Sequence, residues 1–390
     1  MQLYILDSNY DQIATINEAE SILWHKKFND VGECEIYLPC SAEMLEVLRI
    51  GNYVFRYDDD MFCQIKKVEI ETDVENGDYI IATAMDMCNV LAGRIVRWQV
   101  VYSGTVAGFI RKLLIDNVIN PSEATRRIPN FEIDTSNFAQ LTETIEVSAV
   151  TNDLLQLIIA TCKTYNYGFR VSYSINTQKL VFGLYKGKNK ALPLGDEYVE
   201  FSPTYANILS SNYKEDSSNH KNVAYVGYKD EAEKMVVMSV YYGAEPTGEN
   251  RKEIYVDGTS TSRDIQYEEL LALFPNVKKG SENYYLPDDG TKVAAYKVEG
   301  DTEKITVTDF TYLKLIQLLG ENALAQHIST QEFSGAVDTI DTYEYKTDYN
   351  LGDVVNVVND YGISATARIV EVMESEDNED GLVIEPKFQY

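Results

Sequence analysis

Basic residues are scarce in this chain. Lysine and arginine number 34 against 62 aspartates and glutamates, giving a formal net charge of −28 without any long acidic tail to account for it. Phosphate binding draws on clustered Lys and Arg and on counterion release, so this balance argues against a surface that grips nucleic acid. It argues equally against attachment to anionic lipid. The basic pairs Arg126-Arg127 and Lys278-Lys279 stand alone and are too small to form such a patch. An acidic surface ordinarily serves solubility; the sharper reading is a surface or channel wall that repels polyanions.

Histidine and cysteine are also few. His25, His220 and His327 are the only histidines, and none falls in a His-Glu-x-x-His pattern or accompanies a Gly-x-Ser-x-Gly elbow. There is no phosphate loop and no Gly-x-Gly-x-x-Gly fingerprint, which excludes the common nucleotide chemistries. The five cysteines, Cys34, Cys40, Cys63, Cys88 and Cys162, are odd in number and widely spaced without a Cys-x-x-Cys pair, so buried free thiols are expected. His25, beside Trp24, reads as a structural histidine rather than a pH switch. Three acidic stretches, Asp58-Asp59-Asp60, Asp288-Asp289-Gly290 and Asp377-Asn378-Glu379-Asp380-Gly381, gather oxygen ligands but lack the spacing of a calcium loop, and read as solvated hairpin turns. Nothing singles out two carboxylates as a glycosidase pair. The sequence therefore nominates no catalytic, cofactor-binding or metal-ligating residue, and a non-enzymatic role is expected.

Long apolar runs are missing too. The stretch Leu154 to Ile159 is interrupted by Gln156 and falls far short of the ~20 residues of a bilayer span. Met1-Gln2-Leu3-Tyr4-Ile5-Leu6-Asp7 shows neither a basic leader nor an apolar core, so no secretory signal is expected and synthesis in the cytosol is.

What the chain does have is length and tyrosine. Its 390 residues exceed one ordinary domain, and ~100 to 200 residues per domain predicts two to four. A hydrophobic share of 45% with 25% charged residues is globular composition. Tyrosines number 29 against 13 Phe and 2 Trp, many alternating with polar residues as strands do. Glu33-Cys34-Glu35-Ile36-Tyr37-Leu38-Pro39 alternates with period two, and the runs Ile65 to Glu71 and Asp78 to Ala82 flank Asn76-Gly77, a hairpin dipeptide. Residues 1–98 thus read as all-β with one short helix near Ala42 to Leu48.

Helical spacing follows. Val106, Phe109, Ile110, Leu113 and Leu114 lie behind Gly104-Thr105 at intervals of three and four. A second helix is predicted from Thr151 to Tyr165, with Leu154, Leu155, Ile158 and Cys162 on one face, Thr151 or Asn152 as N-cap and Gly168 as the stop. A third runs from Asp309 to Ile328 with Tyr312, Leu315, Ile316, Leu319 and Ala323. Each stripe reads as core packing.

The two ends of the chain echo one another. Gly51-Asn52-Tyr53-Val54-Phe55, Gln64 to Glu69 and Gly77-Asp78-Tyr79-Ile80-Ile81 correspond to Gly352-Asp353-Val354-Val355-Asn356, Arg368 to Met373 and Gly381-Leu382-Val383-Ile384. The hairpin glycine follows the central Ile65 or Ile369 by 12 residues in both copies, and only the preceding turn differs, by three residues. Turn length is cheap to vary because loop-closure entropy grows slowly. Two copies of a small antiparallel, barrel-like module separated by helix-bearing segments are expected; a cyclic trimer would then present six such modules in a ring.

With these pieces in order, the chain resembles the tail hub (tail-associated, baseplate-hub-like) proteins of siphoviruses and their prophages. The resemblance rests on Trp24 followed by Gly32 to Pro39, Leu91-Ala92-Gly93-Arg94-Ile95-Val96, Ser103-Gly104-Thr105, Phe201-Ser202, Asn207-Ile208-Leu209, Lys221 to Val226 and Arg251-Lys252-Glu253. It closes with Tyr349 to Val355 and Ala367 to Val372. It implies an α+β, β-rich fold of two tube-protein-like antiparallel β-barrel modules with two smaller helix-containing α/β domains. The expected division is residues 1–98 for the first β-barrel, 99–200 for an α/β middle domain, 201–245 with 331–390 for the second β-barrel, and 246–330 for an inserted α/β domain.

The implied role is structural: a homotrimeric hub at the distal end of the tail tube that adapts six-fold to three-fold symmetry and lets DNA pass. Its implied partners are the distal tail ring and tube proteins above and receptor-binding or tip proteins below. Its place would be the virion tail, prophage-encoded and made in the host bacterial cytoplasm. Some relatives carry a C-terminal extension with lytic or fibre-like domains; here the sequence stops at Gln389-Tyr390, so no such activity is expected. The hub of a contractile tail or tail-like bacteriocin, a carbohydrate-binding adhesin and a cell-wall hydrolase are the competing readings.

Overall fold

A computed structural model describes residues 1–73, 77–149, 152–191, 198–208, 210, 212–296, 304–334, 337, 343–359, 361–362, 364–377 and 381–389. Seven strands open the chain: β1 (Leu3–Leu6), β2 (Gln12–Ile16), β3 (Ser21–Lys27), β4 (Glu33–Pro39), β5 (Tyr53–Phe55), β6 (Phe62–Asp73) and β7 (Gly77–Asp86). Period-two alternation sets their faces: along β4, Cys34, Ile36 and Leu38 turn inward while Glu35 stays in water. Trp24, Ile36, Val54, Ile65 and Ile80 build one core with them. The short helix α1 (Ala42–Val47) is capped by Ser41, whose hydroxyl accepts from the Met44 amide at 3.1 Å. Gly77 takes the left-handed conformation the β6–β7 turn needs, with φ +94°; Asn76 of that dipeptide lies outside the described residues.

The middle segment contributes β8 (Ile95–Val96), β9 (Val100–Thr105), β10 (Phe131–Asp134), β11 (Thr144–Ala149), β12 (Asn152–Asp153), β13 (Gly168–Ser174) and β14 (Lys179–Tyr185). Helices α2 (Val106–Leu114) and α3 (Leu154–Tyr165) pack on these small sheets through the apolar stripes expected of them. Thr105 caps α2 by accepting from the Gly108 amide. The ends of α3 differ from the sequence reading. Asn152 is held in a two-residue ladder with Val96, so the cap passes to Asp153, which accepts from the Gln156 amide at 2.9 Å; Thr151 lies outside the described residues. The stop is Asn166, left-handed at φ 55°, whereas Gly168 opens β13 at a point where a β-carbon would strike the Phe28 ring at 2.4 Å.

Beyond it come β15 (Glu200–Phe201) and β16 (Asn212–Asp216), then β17 (Val223–Lys229), β18 (Met235–Val240), β19 (Glu253–Asp257), β20 (Asp264–Gln266), β21 (Lys278–Lys279), β22 (Asn283–Tyr285), β23 (Lys292–Tyr296) and β24 (Lys304–Val307). Helix α4 (Tyr267–Leu273) follows β20, and α5 (Asp309–Ala325) crosses the group, sinking Tyr312, Leu315, Ile316 and Leu319 among Val226, Val240, Val293 and Ile305. Strand β17 pairs with β18 on one side and β19 on the other in a separate sheet, although the sequence division sets β17 and β18 with the second β-module. The chain ends with β25 (Thr330–Ser334), β26 (Val354–Val358), β27 (Ser364–Asp377) and β28 (Gly381–Gln389).

The repeat read from the sequence extends to individual hydrogen bonds. In the first copy the Gly51 amide donates to Ile65 O at 2.9 Å and the Ile65 amide to Asn52 O at 2.8 Å; in the second, Gly352 donates to Ile369 O at 2.8 Å and Ile369 to Asp353 O at 2.9 Å. A bulge follows the central isoleucine in both, between Ile65 and Lys67 and between Ile369 and Glu371. Strand order repeats as well: β3-β4-β7-β6-β5-β1 matches β16-β25-β28-β27-β26-β15. The segment between β16 and β25 thus occupies the place of the short β3–β4 connection.

The two copies share one 13-stranded sheet. Long strand β27 divides its outer edge: Ser364 to Arg368 pair with β26, and Glu371 to Asp377 pair with β3. Because β27 spends this edge on the other copy, the sheet stays open, and no closed barrel forms among the described residues.

Candidate functional site

The β3–β27 seam is where the copies meet, and polar side chains converge on both of its faces. On one face His25 Nε2 lies 2.8 Å from Glu371 Oε2 and its Nδ1 lies 3.6 Å from Glu33 Oε1. Lys387 reaches both Glu371 and Glu332 at 3.2 Å. Burial works against ionisation of Glu371, but the His25 hydrogen bond and the Lys387 ammonium outweigh it and hold the carboxyl at about 2.

On the other face Trp24 is fully buried, with the Arg56 guanidinium 5.5 Å from its ring centre. Arg56 pairs with the buried Glu374 at 3.0 Å and with Asp58 at 2.5 Å. Lys346 lies 3.5 Å from Glu374 and 2.8 Å from Asp59. Lys26 completes the chain, 3.1 Å from Asp59 and 2.6 Å from Asp60, and Arg170 of β13 closes on Asp60. Desolvation opposes the charge on Asp59, but Lys26 and Lys346 overcome it and hold the carboxyl well below its usual range. Desolvation likewise opposes the Lys26 charge, which nearby anions restore. Four cations here meet four carboxylates. A neutral network of this kind suits fixing the units in register more than capturing an ion.

Phe28, fully buried just past β3, ties three parts of the chain together: its amide donates to Val370 O at 2.8 Å and its carbonyl accepts from Phe169 at 3.1 Å. Next to it opens a cleft of about 590 Å³, lined by Lys26, Asp86, Arg170, Tyr185, Lys346 and Asp353 among others. Burial pushes Asp86 up to about 6, against the lowering effect of its hydrogen bond from the Cys88 amide.

The sequence-nominated groups scatter. Asp58-Asp59-Asp60 is solvated only in part: Asp58 and Asp60 are exposed, but the Asp59 side chain has no exposed surface, because Lys26 and Lys346 close over it. Asp289 accepts from the Thr291 amide in an exposed turn, and Asn378, Glu379 and Asp380 lie outside the described residues. His327 bonds the Ala323 carbonyl at the end of α5, while His220 sits in the turn after β16. Cys34, Cys63, Cys88 and Cys162 are buried and Cys40 half-buried, all as free thiols. Burial pushes the Cys34 and Cys162 thiols far up. Arg126 braces the Ile95 carbonyl, and Lys278-Lys279 form β21. Among the described residues no group of three or more His, Cys, Asp or Glu is placed to hold a metal ion, and no helix is long and apolar enough to cross a membrane. The Arg56–Glu374 network escaped the sequence reading; its one local signal was the density of carboxylates, Glu371, Glu374, Glu376 and Asp377, at the end of β27.

Residues 2–388 match the family model described as Siphovirus ReqiPepy6 Gp37-like protein. The chain belongs to this family. The Gp37-like chain is similar in fold to the tail protein from Neisseria meningitidis MC58, at a TM-score of 0.50 and 11% identity, covering 100% of this chain and 96% of that one. Prophage tail protein gp18 from Listeria monocytogenes EGD-e aligns at 0.46 and 14%, covering 100% and 94%. The 43 kDa tail protein of prophage MuSo2 from Shewanella oneidensis aligns at 0.48 and 10%, covering 100% and 98%. No curated protein matches the chain in sequence. The Gp37-like chain thus has a β-rich, multi-sheet fold.

Proposed function

We propose that the Gp37-like chain is a phage tail protein and the hub of the tail tip: a homotrimeric ring at the distal end of the tail tube that adapts six-fold to three-fold symmetry. The observation that carries the reading is the repeat. Two copies of one strand order in each chain give six in a trimer, so one end of the ring meets a six-fold tube while the rest keeps three-fold symmetry. The repeated units act as tube-protein-like modules that close into a continuous wall on assembly. We assign residues 1–98 to the first module and 99–200 to the middle unit. The second module takes 201–222 with 330–390, and the insert 223–329, since β17 to β19 pair away from the large sheet. The partners are the distal tail ring and tube proteins on one side and receptor-binding or tip proteins on the other, in the virion tail of a prophage-encoded particle made in the host cytoplasm.

A ring of three carries three times the −28 formal charges of one chain. Acidic groups facing its lumen repel DNA over a screening length of ~8 Å at physiological salt, so that DNA passes without adhering. The role is structural rather than catalytic. The test is the mass of the chain in solution together with low-resolution images: a three-fold ring with a central channel or plug supports the hub, and a stable monomer at micromolar concentration contradicts it.

A further inference from the structure

The repeat exposes two strand edges whose counterparts are paired in the other copy. In β27, Glu371 to Asp377 pair along their outer edge with β3. The corresponding half of β6, Lys67 onward, pairs with β7 on one side, while β5 covers only Phe62 to Gln64 on the other. Lys67, Glu69, Ile70 and Glu71 are accordingly exposed, with Ile70 at 51%. The counterpart of β3 is β16, which stands at the end of the sheet and, among the described residues, pairs with β25 alone. Long edges with an apolar residue are templates for strand addition.

The geometry points to β6 of one chain pairing antiparallel with β16 of a second copy, as β27 pairs with β3 within the chain. This rests on the three-fold reading above and names the surfaces that close the ring. Register follows from the ladders. Across the first copy run Trp24, Cys34, Ala84 and Ile65; across the second run Tyr213, Phe333, Phe388 and Ile369. Carrying the β27–β3 register through these rows sets Lys67 opposite Asp216, Val68 opposite Glu215, Glu69 opposite Lys214 and Ile70 opposite Tyr213.

The side chains agree with that register. Lys67–Asp216 and Glu69–Lys214 are opposite charges on one face, as Glu371 and Lys27 are in the intrachain seam. Ile70 and Tyr213 meet on the other face, in the place of Glu374 and Trp24. In the single chain these charges pair within their own strands, Lys67 with Glu69 at 2.8 Å and Lys214 with Asp216 at 3.2 Å, and docking exchanges each for a cross-strand partner. A shift by one residue would turn β16 over relative to β6, setting Glu69 opposite Tyr213 and Ile70 opposite Asn212.

Paired cysteines in the full chain test this, in a Cys40→Ser background that removes the half-buried thiol. Lys67→Cys with Asp216→Cys, treated with a short bis-methanethiosulfonate, is expected to yield covalent trimers on denaturing gels; Lys67→Cys with Glu215→Cys is expected to stay largely monomeric there. Charge exchange gives a second readout. Lys67→Glu should weaken trimer formation by about ten-fold or more, since the like-charge clash recurs at three junctions, and adding Asp216→Lys should restore it. Trimers in solution without in-register cross-linking would overturn the strand pairing and leave the hub standing. Absence of trimers by mass would overturn both.

Discussion

Replacing Asp59 with asparagine should weaken the seam between the two copies severely. Its carboxylate has no exposed surface and lies 3.1 Å from Lys26 and 2.8 Å from Lys346. Removing one member of a buried ion pair costs about 3–5 kcal/mol, because the partner charge is left uncompensated. Lys26 keeps Asp60 at 2.6 Å and Lys346 keeps Glu374 at 3.5 Å, so the loss falls at the low end, about 3 kcal/mol. The asparagine oxygen still accepts from the Met61 amide, which isolates the charge effect. The folded carboxyl titrates below its unfolded value, so its contribution is present above about pH 4 and fades as the pH falls towards the folded value; the gap between variant and parent should narrow in acid. Urea unfolding read by Trp24 emission measures it, with Trp98, 67% exposed, changed to phenylalanine so that the buried indole reports alone. Glu46→Gln is the control, since Glu46 and its partner Arg49 are 68% and 64% exposed and a surface pair contributes about 0–1 kcal/mol. A loss below about 1 kcal/mol, or one equal to the control, would refute the idea that the network locks the seam.

Three further substitutions probe other parts of the account. Gly187→Ala would put a β-carbon 1.9 Å from the Gly352 carbonyl oxygen and should cost about 3 kcal/mol or more, whereas Gly183→Ala, whose nearest neighbour is at 3.9 Å, should change stability by less than about 1; paired urea midpoints decide. Asp86→Asn should match the parent at pH 4 and exceed it at pH 8 by about 1–2 kcal/mol. Burial raises that carboxyl to about 6, and the stability of its protonated form is lost as the pH rises through this value; equal gains at both pH values would count against it. Glu374→Gln should lower the Trp24 unfolding midpoint about as much as Asp59→Asn, and the double variant should lose less than the sum, because both share Lys346.

The helices were readable because their apolar spacing is local: Val106 to Leu114 and Leu154 to Tyr165 need no partner to declare a face. Their ends were less so. The cap moved to Asp153 because a ladder with Val96, distant in sequence, claimed Asn152. The repeat was visible because glycines at Gly51 and Gly77, and at Gly352 and Gly381, mark backbone positions with positive φ that other residues rarely take. Which sheet a strand joins was not visible: the alternation of β17 and β18 is the same in any antiparallel sheet. The seam was hidden for a similar reason. Asp58-Asp59-Asp60 carries every local mark of a solvated turn, and the burial of Asp59 within it depends on Lys26 and Lys346, which only the folded topology brings to it.

The most direct measurement is a cryo-electron microscopy map of the full chain assembled in solution. The account predicts three copies around one axis, six repeat units in a ring, β6 of each chain laddered to β16 of the next, and acidic side chains facing the lumen. A ring with another copy number, a neutral or basic inner wall, or chains that meet through other edges would contradict it.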